Sequence, residues 1–312
     1  MPTYLITGVA GFIGSALARG ILAQGGKVRG IDNFSTGKRE NVAELSGRME
    51  LCEGDVLDLN AVHAACRGVD FVFHEAAIPS VPRSVNDPLE SNRANVDATV
   101  NVLVGARDAK VKRVIYAASS SAYGDTPTLP KSEDMVPNPI SPYAVAKLAS
   151  EHYMAAFWRC YGLETVSLRY FNVFGPRQDP TSPYSGVLAK FITQMLRGEQ
   201  PTIFGDGAQS RDFTYVENAV EANLLACSAP ANQVAGQVFN VATGRRVNLN
   251  ETFQLLKGLT GYNGNVKYAE ERAADVKHSL ADLSRAEKHL GYRPKVDFEE
   301  GLRRTIAWYR GE

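Results

Sequence analysis

The chain has 312 residues, 44% apolar and 22% charged, enough for one large domain or two closely fused ones with a sizeable core. Its formal net charge is zero, so nothing in the composition points to a nucleic-acid or membrane partner. No apolar run approaches the ~20 residues of a membrane span.

The opening Met-Pro-Thr-Tyr-Leu-Ile-Thr-Gly lacks the basic region and small-residue cleavage site of a signal peptide. Cys52, Cys66, Cys160 and Cys227 are scattered without a Cys-x-x-Cys pair, and they read as reduced thiols of a cytoplasmic protein. No two histidines have metal-ligand spacing, so no metal is expected.

In chain order, Tyr4–Ile6 reads as a buried strand, followed by a helix from about Phe12 to Gln24. Strands are predicted at Lys27–Ile31, Met49–Cys52, Asp70–Phe73, Arg113–Ala117 and Glu164–Leu168, with helices at about Leu89–Asp108 and Tyr143–Tyr161. Apolar strands alternating with helices predict a doubly wound α/β fold, a parallel Rossmann sheet covered on both faces. The pattern loosens near residue 172. Beyond it, helices are predicted at about Gly186–Arg197, Glu217–Cys227, Leu249–Leu259 and Phe298–Tyr309, with short strands at Thr202–Phe204 and Val238–Val241. The expected organisation is therefore 1–172 as a dinucleotide-binding domain carrying the catalytic residues and 173–312 as a smaller mixed α/β substrate domain, with some interleaving of segments.

Gly8-Val9-Ala10-Gly11-Phe12-Ile13-Gly14 directly follows the first strand and opens the first helix. Glycines there leave backbone N–H groups open to a phosphate, and the helix N-terminus adds a favourable dipole. Asp32 lies at the tip of the second strand, 18 residues after Gly14. A carboxylate there accepts both ribose hydroxyls and repels a 2′-phosphate, which favours NAD; Lys38 and Arg39 leave NADP as the lesser reading. Asp55-Val56, after the third strand, stands where an adenine ring would lie.

Tyr143 and Lys147 stand four apart on a predicted helix and share a face. An ammonium beside a phenol lowers its pKa from ~10 toward neutrality and makes a general base. Ser119-Ser120-Ser121 follows the fifth strand, at the sheet edge where ligands of such folds bind.

Together these segments resemble the extended short-chain dehydrogenase/reductase superfamily. The resemblance rests on Thr7–Gly14, His74-Glu75-Ala76-Ala77, Tyr143 with Lys147, Leu168–Pro176, Arg211-Asp212-Phe213 and Phe239-Asn240-Val241-Ala242. It implies nucleotide-sugar chemistry with NAD. The 4,6-dehydratases of that branch carry a Thr-Asp-Glu triplet where this chain has three serines, and UDP-xylose-forming decarboxylases carry an acid near the serine, so both are set aside. The serine run resembles the UDP-hexose 4-epimerases, with Ser119 matching their catalytic serine.

By that resemblance the cofactor contacts are Gly8, Gly11, Phe12, Ile13, Gly14, Asp32, Asn33, Ser35, Thr36, Gly37, Asp55, Val56, Ala76, Ala77, Asn95, Tyr143, Lys147, Tyr170 and Val173. The substrate contacts are Ser84, Ser119, Ser120, Ser121, Tyr143, Asn172, Val187, Leu188, Thr202, Phe204, Arg211, Arg272, Asp275 and Ser279. Thr202 and Phe204 are expected against the uracil, Arg211 and Arg272 on the diphosphate, and Asp275 on the uridine ribose. At the position of Ser279, bacterial epimerases restricted to UDP-glucose and UDP-galactose carry a tyrosine. A serine leaves room for an N-acetyl group, and Ser80–Ser84 and Lys277–Asp282 also resemble UDP-N-acetylglucosamine 4-epimerases. The implied substrate pair is UDP-GlcNAc/UDP-GalNAc, with UDP-Glc/UDP-Gal as a further pair and UDP-glucuronate as the rival. An NAD-sensing regulator that lost its chemistry is the non-enzymatic rival, and it is disfavoured by the intact Ser119, Tyr143 and Lys147. The resemblance also implies a homodimer formed through the stretches Leu89–Asp108 and Tyr143–Tyr161, where Val96, Val100, Leu103 and Val104 supply apolar surface.

Overall fold

A computed structural model describes residues 1–181, 186–271 and 276–312. In the first half, β1 (Thr3–Thr7), α1 (Phe12–Ala23), β2 (Lys27–Asp32), α2 (Glu40–Ala43), β3 (Glu50–Glu53), α3 (Leu59–Cys66) and β4 (Phe71–His74) alternate. Then come α4 (Val81–Asn86), α5 (Pro88–Asn92), a π turn (Arg93–Asp97), α6 (Ala98–Asp108), β5 (Arg113–Ser119), α7 (Pro142–Tyr161) and β6 (Glu164–Tyr170). The second half holds β7 (Val173–Phe174), α8 (Val187–Leu196), β8 (Thr202–Phe204), β9 (Ser210–Asp212), β10 (Thr214–Tyr215), α9 (Val216–Ser228), α10 (Ala231–Val234) and β11 (Gln237–Val241). It ends with β12 (Arg246–Asn248), α11 (Leu249–Thr260), β13 (Lys267–Ala269), α12 (Ser284–Leu290) and α13 (Phe298–Arg310).

Seven parallel strands form the main sheet in the order β11-β6-β5-β4-β1-β2-β3. Successive apolar residues serve opposite faces. Leu5, Val72 and Val114 join the core under α3, α6 and α7, while Ile6, Phe73 and Ile115 join the core under α1 and α9. This two-sided burial is why the strands read as short apolar runs. The last strand, β11, comes from beyond residue 172 and pairs with β6 from Gln237↔Val166 to Val241↔Tyr170. A third core, with Phe191, Ile203, Phe253 and Leu302, holds the second half together.

The single helix expected over Leu89–Asp108 is not continuous: the π turn at Arg93–Asp97 interrupts it. The Asn95 amide donates to the Ser91 carbonyl at 2.8 Å, and the Asn95 carbonyl takes the hydroxyls of Thr99 (2.6 Å) and Ser150 (2.9 Å). Such side-chain competition for backbone groups favours a local widening of the helix. Of the residues offered as interface surface, Val96 and Leu103 are buried within the chain, and Val104 packs on the same core. Exposed apolar side chains nearby include Val85 on α4, Leu89 on α5 and Val145, Tyr153 and Tyr161 on α7. No helix among the described residues is long and apolar enough to cross a membrane.

Helix α7 carries the expected catalytic pair. Ser141 caps it by accepting from the Ala144 N–H, Pro142 fits its first turn, and Gly162 ends it in the left-handed region at φ 70°. Its buried face runs through Lys147, Ser150, Glu151, Met154 and Phe157, a helical spacing that aims two charged groups at the sheet. Glu151 takes a bidentate ion pair from Arg169 on β6, at 2.9 Å to Nε and 2.7 Å to Nη2, with both side chains almost fully buried. Removing one partner of such a pair strands the other charge in the core. Glu151→Ala should therefore cost about 3–5 kcal/mol. Urea unfolding measures this, and a loss below ~1 kcal/mol, the worth of a surface pair, would show that α7 does not depend on the bond.

Candidate active site

All seven carboxyl ends of the sheet lie at one edge, and the glycine turn sits at the middle of it. Gly8 has φ 68°, and a Cβ on it would lie 2.8 Å from the Ala76 nitrogen; a Cβ on Gly14 would run into the Gly8 carbonyl. Gly11 caps α1 without any side-chain hydrogen bond, and no acidic residue stands in the first turn. The first N–H groups of α1 are thus open to an anion. Phe12 and Ile13 give their side chains to the cores, leaving their backbone to line the turn.

Asp32 closes the adenosine side. Its oxygens accept the N–H groups of Ala10 and Phe34, each at 2.8 Å, while burial pushes its carboxyl above the usual carboxylate range. Gly37 approaches closely over it: a Cβ there would lie 2.9 Å from Oδ1. Asn33 donates to Asp55 at 2.8 Å and accepts from the Ser35 N–H, so Asn33, Ser35, Thr36, Gly37, Asp55 and Val56 form one rim. The two cations considered for a 2′-phosphate have other partners. Lys38 lies 3.2 Å from Asp179, and Arg39 pairs with Glu53 at 2.7 Å while stacking on Phe34. The glycine cradle, the open helix end and the buried aspartate fit NAD.

Beneath the turn runs a hydrogen-bond chain. The Ala76 N–H donates to the Thr7 hydroxyl, which donates to His74 Nδ1 at 2.7 Å; His74 Nε2 then donates to Thr99 at 3.0 Å, and Thr99 to the Asn95 carbonyl. Asn95 Oδ1 accepts from the Ile78 N–H, so Asn95 and Ala76 with Ala77 are fixed together.

At the end of β5, the Ser119 hydroxyl accepts from the Ser121 N–H and the Ser121 hydroxyl, the latter at 2.9 Å, with Ser120 between them. Ser119 also bonds the Tyr143 phenol and draws its pKa down, but burial wins and pushes the phenol up to about 12. The expected lowering by Lys147 is corrected here. Lys147 turns to the Ala117 carbonyl at 2.8 Å and the face of Tyr116 at 4.8 Å, and burial pulls its own pKa down to about 8. Desolvation disfavours both charged forms, with Lys147 buried and Tyr143 half-buried.

A cavity of about 230 Å³ opens beyond β6. Its walls include seven residues expected from the sequence: Asn172, Val173, Val187, Leu188, Thr202, Phe204 and Arg211. The N-terminus of α8, at Val187 and Leu188, has no side-chain cap and lines the same cavity as Arg211, two features that each favour an anion. Ser279 reaches this group through two bonds, accepting from the Asp212 N–H at 3.3 Å and from Asn172 at 3.4 Å. Ser84 stands apart from the cavity, buried on α4 with its hydroxyl on the Val81 carbonyl. Arg272 and Asp275 lie outside the described residues.

The structure adds residues that the sequence reading missed. Gln178 and Gln209 line the cavity, and the Gln209 Oε1 is buried without a partner. Glu75 reaches Tyr170 at 2.8 Å. Among the described residues, no cluster of three His, Cys, Asp or Glu side chains can hold a metal.

The profile of the NAD dependent epimerase/dehydratase family matches residues 4–242. A UDP-glucose 4-epimerase of Mycolicibacterium smegmatis is 38% identical over 99% of this chain and 98% of its own length. The crystal structure of Thermotoga maritima UDP-glucose 4-epimerase with UDP-glucose superposes with a TM-score of 0.94 at 39% identity, covering 99% of both chains. That of a UDP-N-acetylglucosamine 4-epimerase from Methanobrevibacter ruminantium, in complex with UDP-N-acetylmuramic acid, gives 0.93 at 40% identity, covering 99% of this chain and 98% of its own.

His74 supplies a pH test of the floor. Burial holds its pKa down at about 3 in the folded chain, against ~6.5 unfolded. Between those values the unfolded chain binds one more proton, so acid erodes stability by about 1.4 kcal/mol per pH unit through this residue. His74→Asn should be destabilising at pH 7, and its deficit against wild type should shrink by about 2 kcal/mol at pH 5. Urea titrations of both proteins at the two pH values measure it, and an unchanged deficit would mean that His74 is not held neutral.

Proposed function

Because the chain belongs to the NAD-dependent epimerase/dehydratase family and is an enzyme of its UDP-hexose 4-epimerase type, we propose that it inverts C4 of UDP-GlcNAc and UDP-GalNAc, with UDP-Glc and UDP-Gal as a second pair. The observation that carries the reaction is the set of groups at the end of β5. Ser119 joins Tyr143, Lys147 lies beneath, and the next two positions are hydroxyls rather than carboxyls. Oxidation at a carbinol needs a base for the O–H proton and a hydride acceptor; elimination of water would need an acid as well.

Tyr143 takes the proton of the sugar 4-hydroxyl, directly or through Ser119. NAD held at the glycine turn would supply the acceptor and then the donor of the C4 hydride. Tyr143 starts as a neutral phenol, and the cationic charge of an oxidised nicotinamide would favour its ionisation. The 4-keto sugar turns about its diphosphate link, and Tyr143 returns the proton on the other face. Gly8, Gly11, Gly14 and Asp32 hold the dinucleotide, with Tyr170 and Val173 on its far side.

The nucleotide end belongs to the second-half cavity. At about 230 Å³ it falls below the ~300 Å³ at the small end of whole-ligand sites, which suits the base end of a nucleotide rather than all of it. Thr202 and Phe204 flank the base, the orphan Gln209 oxygen offers an acceptor there, and Arg211 with the α8 N-terminus takes the diphosphate. The sugar then extends toward Ser119 past Ser279. The small Ser279 side chain, folded against Asp212 and Asn172, supports the acetylated substrate. Exposed Leu89, Val145 and Tyr153 support pairing into a homodimer.

Tyr143→Phe should leave NAD binding intact and cut turnover by at least ~10²-fold, the scale of general-base catalysis. A coupled epimerase assay reads this, and near-normal turnover would remove Tyr143 from the mechanism. Ser279→Tyr places a ring beside the C2 substituent. Turnover of UDP-GlcNAc should be lost while any turnover of UDP-Glc survives; undiminished use of the acetylated sugar would overturn the gate.

A further inference from the structure

Glu75 is a carboxyl on the active-site floor that the epimerisation leaves unused. It stands one residue past β4 and against the glycine turn: a Cβ on Gly8 would lie 3.1 Å from its carbonyl carbon. Its Oε1 accepts from the Tyr170 hydroxyl at 2.8 Å, and Asn223 of α9 donates to that same hydroxyl oxygen at 2.6 Å. Tyr170 ends β6, so the Glu75 side chain spans the end of β5, which lies between β4 and β6.

That position is specific. Asp32 at the end of β2 marks the adenosine side, and the glycine turn at the end of β1 marks the diphosphate. A dinucleotide laid along this edge sends its second nucleoside over β4 and β5, toward Lys147 and Tyr143. Glu75 forms the floor of that half. Among the described residues, Tyr170 is the only group that hydrogen-bonds its carboxyl, and Lys147 is the only cation acting on it. Lys147 is itself bound to the Ala117 carbonyl. The neighbouring imidazole of His74 is engaged on both nitrogens and neutral. An acid in this place has no ion pair among the described residues.

We propose that Glu75 is the counter-charge for the oxidised nicotinamide, favouring bound NAD⁺ over NADH and so helping the hydride return to the sugar. The inference rests on NAD at the glycine turn and not on which sugar is used. Burial pushes the Glu75 carboxyl up to about 7, with Tyr170 and then Lys147 pulling it down. Below that value the acid is neutral and indifferent to the nicotinamide charge. Above it the carboxylate favours the cationic form, so the preference for NAD⁺ grows as pH rises from 6 to 8.

Glu75→Gln keeps the shape and an acceptor for Tyr170 but removes the charge. Affinities of NAD⁺ and NADH for the intact protein, titrated without sugar at pH 6, 7 and 8, give their ratio. At pH 8 the variant should lose about tenfold of the wild-type preference for NAD⁺, the effect of one nearby opposite charge, which is about 30 mV for a two-electron couple. The pH dependence that remains should be flat where wild type rises. Tyr170→Phe, which removes the donor that favours the carboxylate, should move the wild-type rise to higher pH; it decides the matter if Glu75→Gln does not fold. An unchanged ratio and pH profile in Glu75→Gln, or an equal loss of affinity for both cofactor forms, would overturn the proposal. Because no sugar is present, that failure would leave the substrate reading untouched.

Discussion

The arrangement of the site depends on how α7 is held to the sheet. One face of this helix carries Lys147 and Glu151 into a dry interface, and each finds a fixed partner: the Ala117 carbonyl on β5 and the Arg169 guanidinium on β6. Arg169 also stacks on Tyr123, whose hydroxyl bonds Asn240 of β11. The helix that presents Tyr143 is thereby registered against three adjacent strands. Such a bond contributes little net stability compared with apolar packing, but it penalises a slipped helix heavily, since any shift leaves a buried charge alone. Positioning, more than stability, is what the pair secures.

The same dryness sets the charges of the site. Burial leaves Tyr143 a phenol, His74 a neutral imidazole, Lys147 a weakened cation and Glu75 an acid poised near neutrality. An i,i+4 spacing of tyrosine and lysine suggests a phenolate drawn down by an ammonium. Lys147 instead turns to the Ala117 carbonyl, and at Tyr143 desolvation outweighs the Ser119 hydrogen bond. Charge in the reacting state must then come with the ligand. A cationic nicotinamide placed over this floor, as proposed above, would favour the phenolate and the carboxylate together and so couple base activation to the oxidised cofactor.

What could be read from the sequence was what is local. The glycine turn, Asp32, the Ser119 run and the Tyr143–Lys147 pair lie in or beside short segments whose periodicity names their element, and the structure brings them to one edge. Thr202, Phe204 and Arg211 are near one another but far in the chain from Ser119, Tyr143 and Asn172, and only family resemblance linked them to a site before the cavity did. Other features depend on pairings that no local pattern carries. Glu75 and Tyr170 are 95 residues apart. The break in the Leu89–Asp108 helix arises from a carbonyl shared with Ser150, 55 residues on. The membership of β11 in the main sheet shows in no composition change at residue 237. The commitment of Lys38 to Asp179 is equally invisible in sequence, yet it bears on cofactor choice more directly than the presence of the lysine.

The substrate end is built on a second buried carboxylate. Asp212 accepts the N–H groups of Thr243, Gly244 and Ala281 and the Thr243 hydroxyl, all four from segments distant in sequence. Its backbone takes the remaining two partners, with its carbonyl accepting from Asn172 and its N–H donating to Ser279. One residue therefore joins Arg211 beside it, Asn172 at the end of β6 and the segment carrying Ser279. The backbone around Ser279 is consequently not a loose surface loop. Lys277 is fixed on one side to Asp125, and Lys131 exchanges two backbone bonds with Leu280 and Asp282, so the segment is pinned between the catalytic loop and β9. In the proposed gate, discrimination would rest on the Ser279 side chain, because the backbone around it is held at several points.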